Sequence, residues 1–225
     1  MIKSIVFLFF ISLSFAFSQQ LLQIQYYQYE AGQCDGSQSQ SGSLEACSSS
    51  SNVVSTVYAK FDECLIFNDG FSILSLASSN SLNYSVYEND CNGPIVSSKI
   101  IELGSCSANC ENEIQQNPFL ISIVDQSSIE IPSQDSFATI YYGGDCDGDW
   151  KNSFSFIQFM TTNLCVDEGE NGSMMLSCNP IINQLTITSF NSLGCKNKSS
   201  ATEIALSLEN CNLFGNNTNM GLYCN

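Results

Sequence analysis

The chain predicts an all-β fold, a disulfide-rich antiparallel β-sandwich architecture formed by two tandem cysteine-rich repeats. Three features lead to it. Short runs alternate apolar, β-branched or aromatic residues with small polar ones. Turn dipeptides separate many of these runs. Twelve cysteines then fall six to each half of the chain.

Residues 1–18 read as a signal peptide. Lys3 supplies the positive start, Ile5 to Phe17 is apolar except for Ser12 and Ser14, and Ala16 and Ser18 hold the small-residue positions before a cleavage point at Ser18/Gln19. A membrane anchor is the alternative, but a spanning helix needs about 20 apolar residues, and polar Gln19 and Gln20 follow this shorter run at once. No later segment is long enough to span a bilayer, and the last residues lack the hydrophobic tail of a GPI signal. The expectation is a secreted, extracellular product with no membrane span.

The cysteines agree with export. Cys34, Cys47, Cys64, Cys91, Cys106, Cys110, Cys146, Cys165, Cys178, Cys195, Cys211 and Cys224 all lie beyond the leader. An even count in an exported chain reads as a disulfide framework. Zinc would want close Cys-x-x-Cys pairs or histidines; the closest cysteines are Cys106 and Cys110, and there is no histidine. Sequons at Asn83, Asn171, Asn197 and Asn216 mark expected surface-loop glycans.

The first repeat is placed at 19–125 and the second at 126–225. Ile24-Gln-Tyr26-Tyr27 leads to Cys34-Asp35-Gly36, and Thr139-Ile140-Tyr141-Tyr142 leads to Cys146-Asp147-Gly148. Tyr84-Ser-Val-Tyr87 precedes Cys91 as Thr186-Ile-Thr-Ser189 precedes Cys195, and Ile100 to Leu103 precedes Cys106 as Ile204 to Leu208 precedes Cys211. Taking the cysteines in order sets Cys64–Cys91 beside Cys178–Cys195, where the spacings diverge.

Strands are expected at Phe71–Leu76, Phe119–Val124, Phe137–Tyr142, Phe154–Phe159 and Leu185–Phe190. Turns are expected at Asp35-Gly36, Asp69-Gly70, Asn92-Gly93 and Asp147-Gly148. Polar runs at Ser37–Ser43 and Ser48–Asn52 read as loops, and Asn112–Pro118 and Gln126–Asp135, which bracket the strand at Phe119–Val124, as the joint between repeats.

Composition excludes much chemistry. The formal net charge is −16, and the six basic residues are all lysine, five of them beyond the leader. Nucleic acid is therefore not an expected partner, because phosphate recognition relies on Lys and Arg. Without histidine, Ser-His-Asp and Cys-His catalysis cannot be assembled. Carboxylate-pair hydrolysis remains, with Asp62-Glu63 and Asp167-Glu168 as the acidic pairs, though solvated loop charge describes them better. No catalytic residue, metal centre or cofactor is expected.

The sharpest polar cluster is Asp145-Cys-Asp147-Gly-Asp149-Trp150. Alternate acids share one face of an extended segment, an arrangement suited to calcium. An EF-hand would need Gly and Glu where Trp150 and Phe156 stand, so a plain acidic turn is the simpler reading. Trp150, the single tryptophan, is a candidate sugar platform or an edge anchor. Asp145, Asp147, Asp149 and Trp150 are thus the candidate ligand-binding residues, with carbohydrate the possible ligand. The tyrosine pairs, recurring at corresponding positions, read as packing.

The apolar leader, the Asn/Ser/Gln/Ile-rich body and the Tyr-Tyr…Cys-Asp-Gly…Cys units resemble small secreted cysteine-rich proteins of social amoebae. That group includes proteins associated with the counting factor, a secreted complex that regulates aggregate size. The resemblance covers most of the chain beyond the leader. It implies an extracellular factor acting through protein partners, not an enzyme, and brings no catalytic residues with it. A lectin-like matrix module is the alternative, and a hydrolase the more distant one.

Overall fold

The structure, a computed structural model, describes residues 19–28, 47, 53–67, 70–107, 118–129, 136–142, 153–167, 172–196, 201–207, 212–214 and 218–224. It is all-β and disulfide-rich, as the alternation predicted. Among the described residues, sixteen strands form three antiparallel sheets.

An eight-stranded sheet is the centre of the molecule. It contains β1 (Gln20–Tyr27), β2 (Val53–Lys60), β7 (Cys106–Ser107), β8 (Phe119–Asp125), β9 (Ser136–Tyr142), β10 (Phe154–Thr161), β15 (Asn212–Phe214) and β16 (Thr218–Cys224). Their order is β15-β16-β9-β10-β2-β1-β8-β7. Two four-stranded meanders complete the fold. One runs β3 (Cys64–Phe67), β4 (Gly70–Ser78), β5 (Ser81–Tyr87), β6 (Ile95–Glu102); the other runs β11 (Cys165–Asp167), β12 (Ser173–Asn179), β13 (Gln184–Phe190), β14 (Thr202–Ser207). If β9–β16 are matched in turn to β1–β8, the central order reads the same from either edge. The seam is β2 against β10, where Val57 pairs with Gln158.

The period of two decides which residues meet. Leu22, Ile24 and Tyr26 of β1 lie opposite Ala59, Val57 and Ser55 of β2, which lie opposite Phe156, Gln158 and Met160 of β10. Tyr141, Thr139 and Phe137 of β9 continue the rows. On this face, Leu65, Leu74 and Leu82 of the first meander join Leu22, Ile24, Val57, Ile121 and Phe156. Leu176 and Leu185 of the second meander join Phe137 beside it. Each large apolar side chain so buried contributes about 1.5–3 kcal/mol.

The opposite face has its own buried cluster, including Leu21, Tyr58, Ile140, Tyr142, Ile157 and Phe159, with Ile129 from the β8–β9 connection packed into it. Polar groups there are paired: Gln23 Nε2 donates to Tyr58 Oη at 3.0 Å, and Ser122 Oγ donates to Gln23 Oε1 at 3.1 Å. A sheet buried on both sides explains why β2, Val-Val-Ser-Thr-Val-Tyr-Ala-Lys, lacks clean alternation.

Turns follow their chemistry where described. Gly70 opens β4 at φ +123°. Asp90 Oδ1 accepts from Asn92 N at 2.8 Å, and Asp90 O accepts from Gly93 N at 3.0 Å. Gly172 (φ +106°) leads into β12 so close to Phe190 that a Cβ would overlap its carbonyl oxygen. Asp35-Gly36, Asp147-Gly148 and the loop expected at Ser37–Ser43 lie outside the described residues, as do Asp69 and residues 48–52.

The strand expected at Phe119–Val124 is β8, which pairs along β1 and extends the same buried rows. One expectation is corrected: the cysteines do not correspond in simple order. Cys64 opens β3 and Cys165 opens β11, and they bond to Cys91 and Cys195, which follow β5 and β13. The comparable separations are therefore 27 and 30 residues, close to one another. The other described bonds, Cys47–Cys106 and Cys178–Cys224, occupy different places in the two halves. All four stay within 19–125 or within 126–225. Cys34, Cys110, Cys146 and Cys211 lie outside the described residues.

Candidate binding cleft

A cleft of about 360 Å³ lies over the β2–β10 seam. Its floor comes from Ser55, Val57, Phe156, Gln158 and Met160, all on the face that carries the meanders. Tyr26 and Tyr141 line it from the neighbouring strands β1 and β9, and Leu164, Val166, Met174 and Leu176 supply a wall from the second meander and its approach. That wall is tied down. The Cys165–Cys195 bond holds β11, and Gln28 Nε2 at the end of β1 donates to Cys165 O at 3.0 Å.

The floor is organised by a side-chain hydrogen bond across the seam, Gln158 Nε2 donating to Ser55 Oγ at 3.1 Å. Tyr141 stacks on Phe156 with centroids 3.9 Å apart and planes 17° from parallel. Burial pushes the Tyr141 phenol above its ordinary value, so it stays a neutral donor at physiological pH. Among the described residues, none that lines the cleft is Asp, Glu or Lys. Such a surface binds by shape and a few hydrogen bonds, and offers no carboxylate pair for acid–base work.

The tyrosine pairs therefore divide. Tyr27 and Tyr142 are buried, whereas Tyr26 and Tyr141 line the cleft. The sequence pattern reads all four as packing; the missed signal was Ser55 and Gln158, polar residues in the same alternation rows as Val57, Phe156 and Met160. The candidate residues Asp145, Asp147, Asp149 and Trp150 lie outside the described residues, as do the sequons at Asn171, Asn197 and Asn216. Asn83 lies within β5 rather than in a loop: its Oδ1 accepts from Ser98 Oγ at 2.6 Å, and its Nδ2 donates to Ser85 Oγ at 3.2 Å. Asp62 is exposed, and Glu63 pairs with Lys60 at 3.6 Å. Among the described residues there is no cluster of metal-ligating side chains, and no helix is long and apolar enough to cross a membrane.

One further surface stands out. At the β12–β13 tip, Ile181 is 92% exposed and Ile182 59% exposed. The tip is held firmly: Asn179 Oδ1 accepts from Ile181 N at 3.1 Å, Asn183 Oδ1 accepts from Cys224 N at 3.3 Å, and Cys178–Cys224 bonds the hairpin to β16. The corresponding tip between β4 and β5 is Ser79-Asn80, wholly polar.

The four described disulfides of this all-β protein point to an oxidising, extracellular setting. The chain belongs to the counting factor-associated protein A/B/C family, whose model matches residues 1–225. It is 28% identical over 191 residues to Counting factor-associated protein A of Dictyostelium discoideum, with 80% of each chain covered. No solved structure matches it.

Proposed function

We propose that this protein is secreted through the leader at residues 1–18 and acts outside the cell, without catalysis, through protein partners in cell–cell communication or aggregate-size control. Membership of the family along the whole chain carries the reading, since the name of its Dictyostelium relative ties that protein to the counting factor. The geometry supports it in two ways. The cleft lining suits recognition rather than acid–base chemistry, and the Ile181–Ile182 tip is a convex apolar contact already fixed in shape. A rigid aliphatic anchor loses little freedom on docking into a partner's pocket.

The test is genetic and biochemical together. Cells lacking the gene are scored for aggregate size, then rescued with wild-type protein or with Ile181→Ser/Ile182→Ser. The reading expects altered aggregates, rescue by wild type and failure of the variant at equal secreted level. Unchanged aggregates in the knockout refute it. Affinity capture from conditioned medium with each form then identifies the partner that the variant loses.

A further inference from the structure

We propose that the seam cleft binds a small uncharged molecule with an apolar ring or short chain and one hydroxyl group. This goes beyond the partner reading and stands or falls without it.

The argument begins with charge. The protein is formally −16, yet among the described residues none that lines the cleft is charged. An anion entering it would meet no cation and an unfavourable overall field. A cation would lose water without a carboxylate to replace it. The aromatic rings do not make up the difference as a cage, because Phe156 and Tyr141 each spend one face on the other. An uncharged guest avoids both costs.

Polar pairing then selects the functional group. Gln158 spends its amide nitrogen on Ser55, and its Oε1 has no partner among the described residues. Thr161 donates to Val53 O at 2.9 Å and is occupied. The Tyr141 hydroxyl makes no hydrogen bond among the described residues, while burial keeps it protonated. Gln158 Oε1 and the Tyr141 hydroxyl thus place an acceptor and a donor in the lining. A hydroxyl both donates and accepts, so one such group matches the pair. Val57, Met160, Leu164, Val166, Met174 and Leu176 provide the apolar enclosure. The volume lies near the lower end of ligand pockets, about 300–1,000 Å³. Two flexible methionines fit a site that adjusts to its guest.

The experiment uses the secreted full-length protein and uncharged N-phenyl-1-naphthylamine as a fluorescent reporter, displaced by four naphthalene competitors. We expect saturable binding of one reporter per chain. 2-Naphthol should displace it at about tenfold lower concentration than naphthalene, the worth of a hydrogen bond made in a dry site. 2-Naphthoate and 2-naphthylmethylammonium should need at least about tenfold more than 2-naphthol. Gln158→Leu should erase the naphthol preference while keeping the reporter, and Val166→Trp should fill the cleft and abolish reporter binding with the circular dichroism of the strands intact. If Val166→Trp does not fold, the competitor series and Gln158→Leu decide the matter. No saturable reporter binding, equal or tighter binding of either charged competitor, or an unchanged naphthol preference in Gln158→Leu overturns the proposal.

Discussion

Removing the Cys178–Cys224 bond isolates the contribution of a cross-link between sheets. Cys178 lies in β12 of the second meander and Cys224 in β16 of the central sheet, so the bond ties one layer of the sandwich to the other. Its closed loop spans 46 residues, for which the chain-entropy model gives about 4 kcal/mol at 25 °C. Cys165–Cys195 remains and already restricts part of the same unfolded chain, so the loss should fall between about 2 and 4 kcal/mol. At about 2–4 °C per kcal/mol for a domain of this size, the melting temperature should drop by roughly 5–15 °C. The variant is Cys178→Ala/Cys224→Ala, both together so that no thiol is left to exchange. Thermal and urea unfolding followed by far-ultraviolet circular dichroism give the measurement. A loss below about 0.5 kcal/mol, the usual effect of a neutral surface change, would refute the claim that this bond holds the layers together.

Four further outcomes are expected. Gly172→Ala should destabilise by about 3 kcal/mol or more, because the new methyl group collides with Phe190 O and φ is +106°; wild-type urea unfolding in the variant would contradict the close approach. Burial raises the Tyr27, Tyr141 and Tyr142 phenols, with the Tyr223 hydrogen bond at 3.2 Å adding to the effect at Tyr142. Since these groups hold their protons more tightly folded than unfolded, their stabilisation is complete below about pH 10, the unfolded value, and is lost as pH rises through the higher folded values. Ultraviolet titration should show a tyrosine fraction that ionises only on alkaline unfolding. Leu82→Ala, at a fully buried site between the first meander and the central sheet, should cost about 2–4 kcal/mol in denaturant unfolding. Non-reducing peptide mapping should recover Cys47–Cys106, Cys64–Cys91, Cys165–Cys195 and Cys178–Cys224, with no link joining 19–125 to 126–225.

Much of the fold was legible because its signals are local. Phe71–Leu76, Phe119–Val124, Phe137–Tyr142, Phe154–Phe159 and Leu185–Phe190 each fall within an observed strand, since alternation is a property of consecutive residues. Where burial is two-sided the pattern fades, and β2 went unread for that reason. β12 was missed differently: Ser173-Met-Met-Leu-Ser-Cys-Asn179 has little β-branching, and its place is set by pairing with β13 and by two disulfides around it. The order of cysteines misled because only some occupy matching strand positions. Matching Cys64 to Cys165 required knowing which strand each one opens.

The cleft was illegible for a different physical reason. Gln158 and Ser55 are 103 residues apart, and nothing in either strand names the other as its neighbour. The site exists because β2 and β10 pair, and its position follows from how the layers cover that pairing. Leu65, Leu74 and Leu82 cover the β1–β2 side, while Leu176 and Leu185 cover Phe137 on the β9 side. Each meander is only four strands wide, against eight beneath it. Two narrow layers on one broad sheet leave their gap where their territories meet, and here that place is the seam. A fully apolar floor there would leave a dry void, losing contacts on one side. A charged floor would be costly beside so much buried aliphatic surface. Ser55 and Gln158 avoid both extremes by bonding to each other while leaving one amide oxygen available. That arrangement makes the gap between the layers suitable for an uncharged guest.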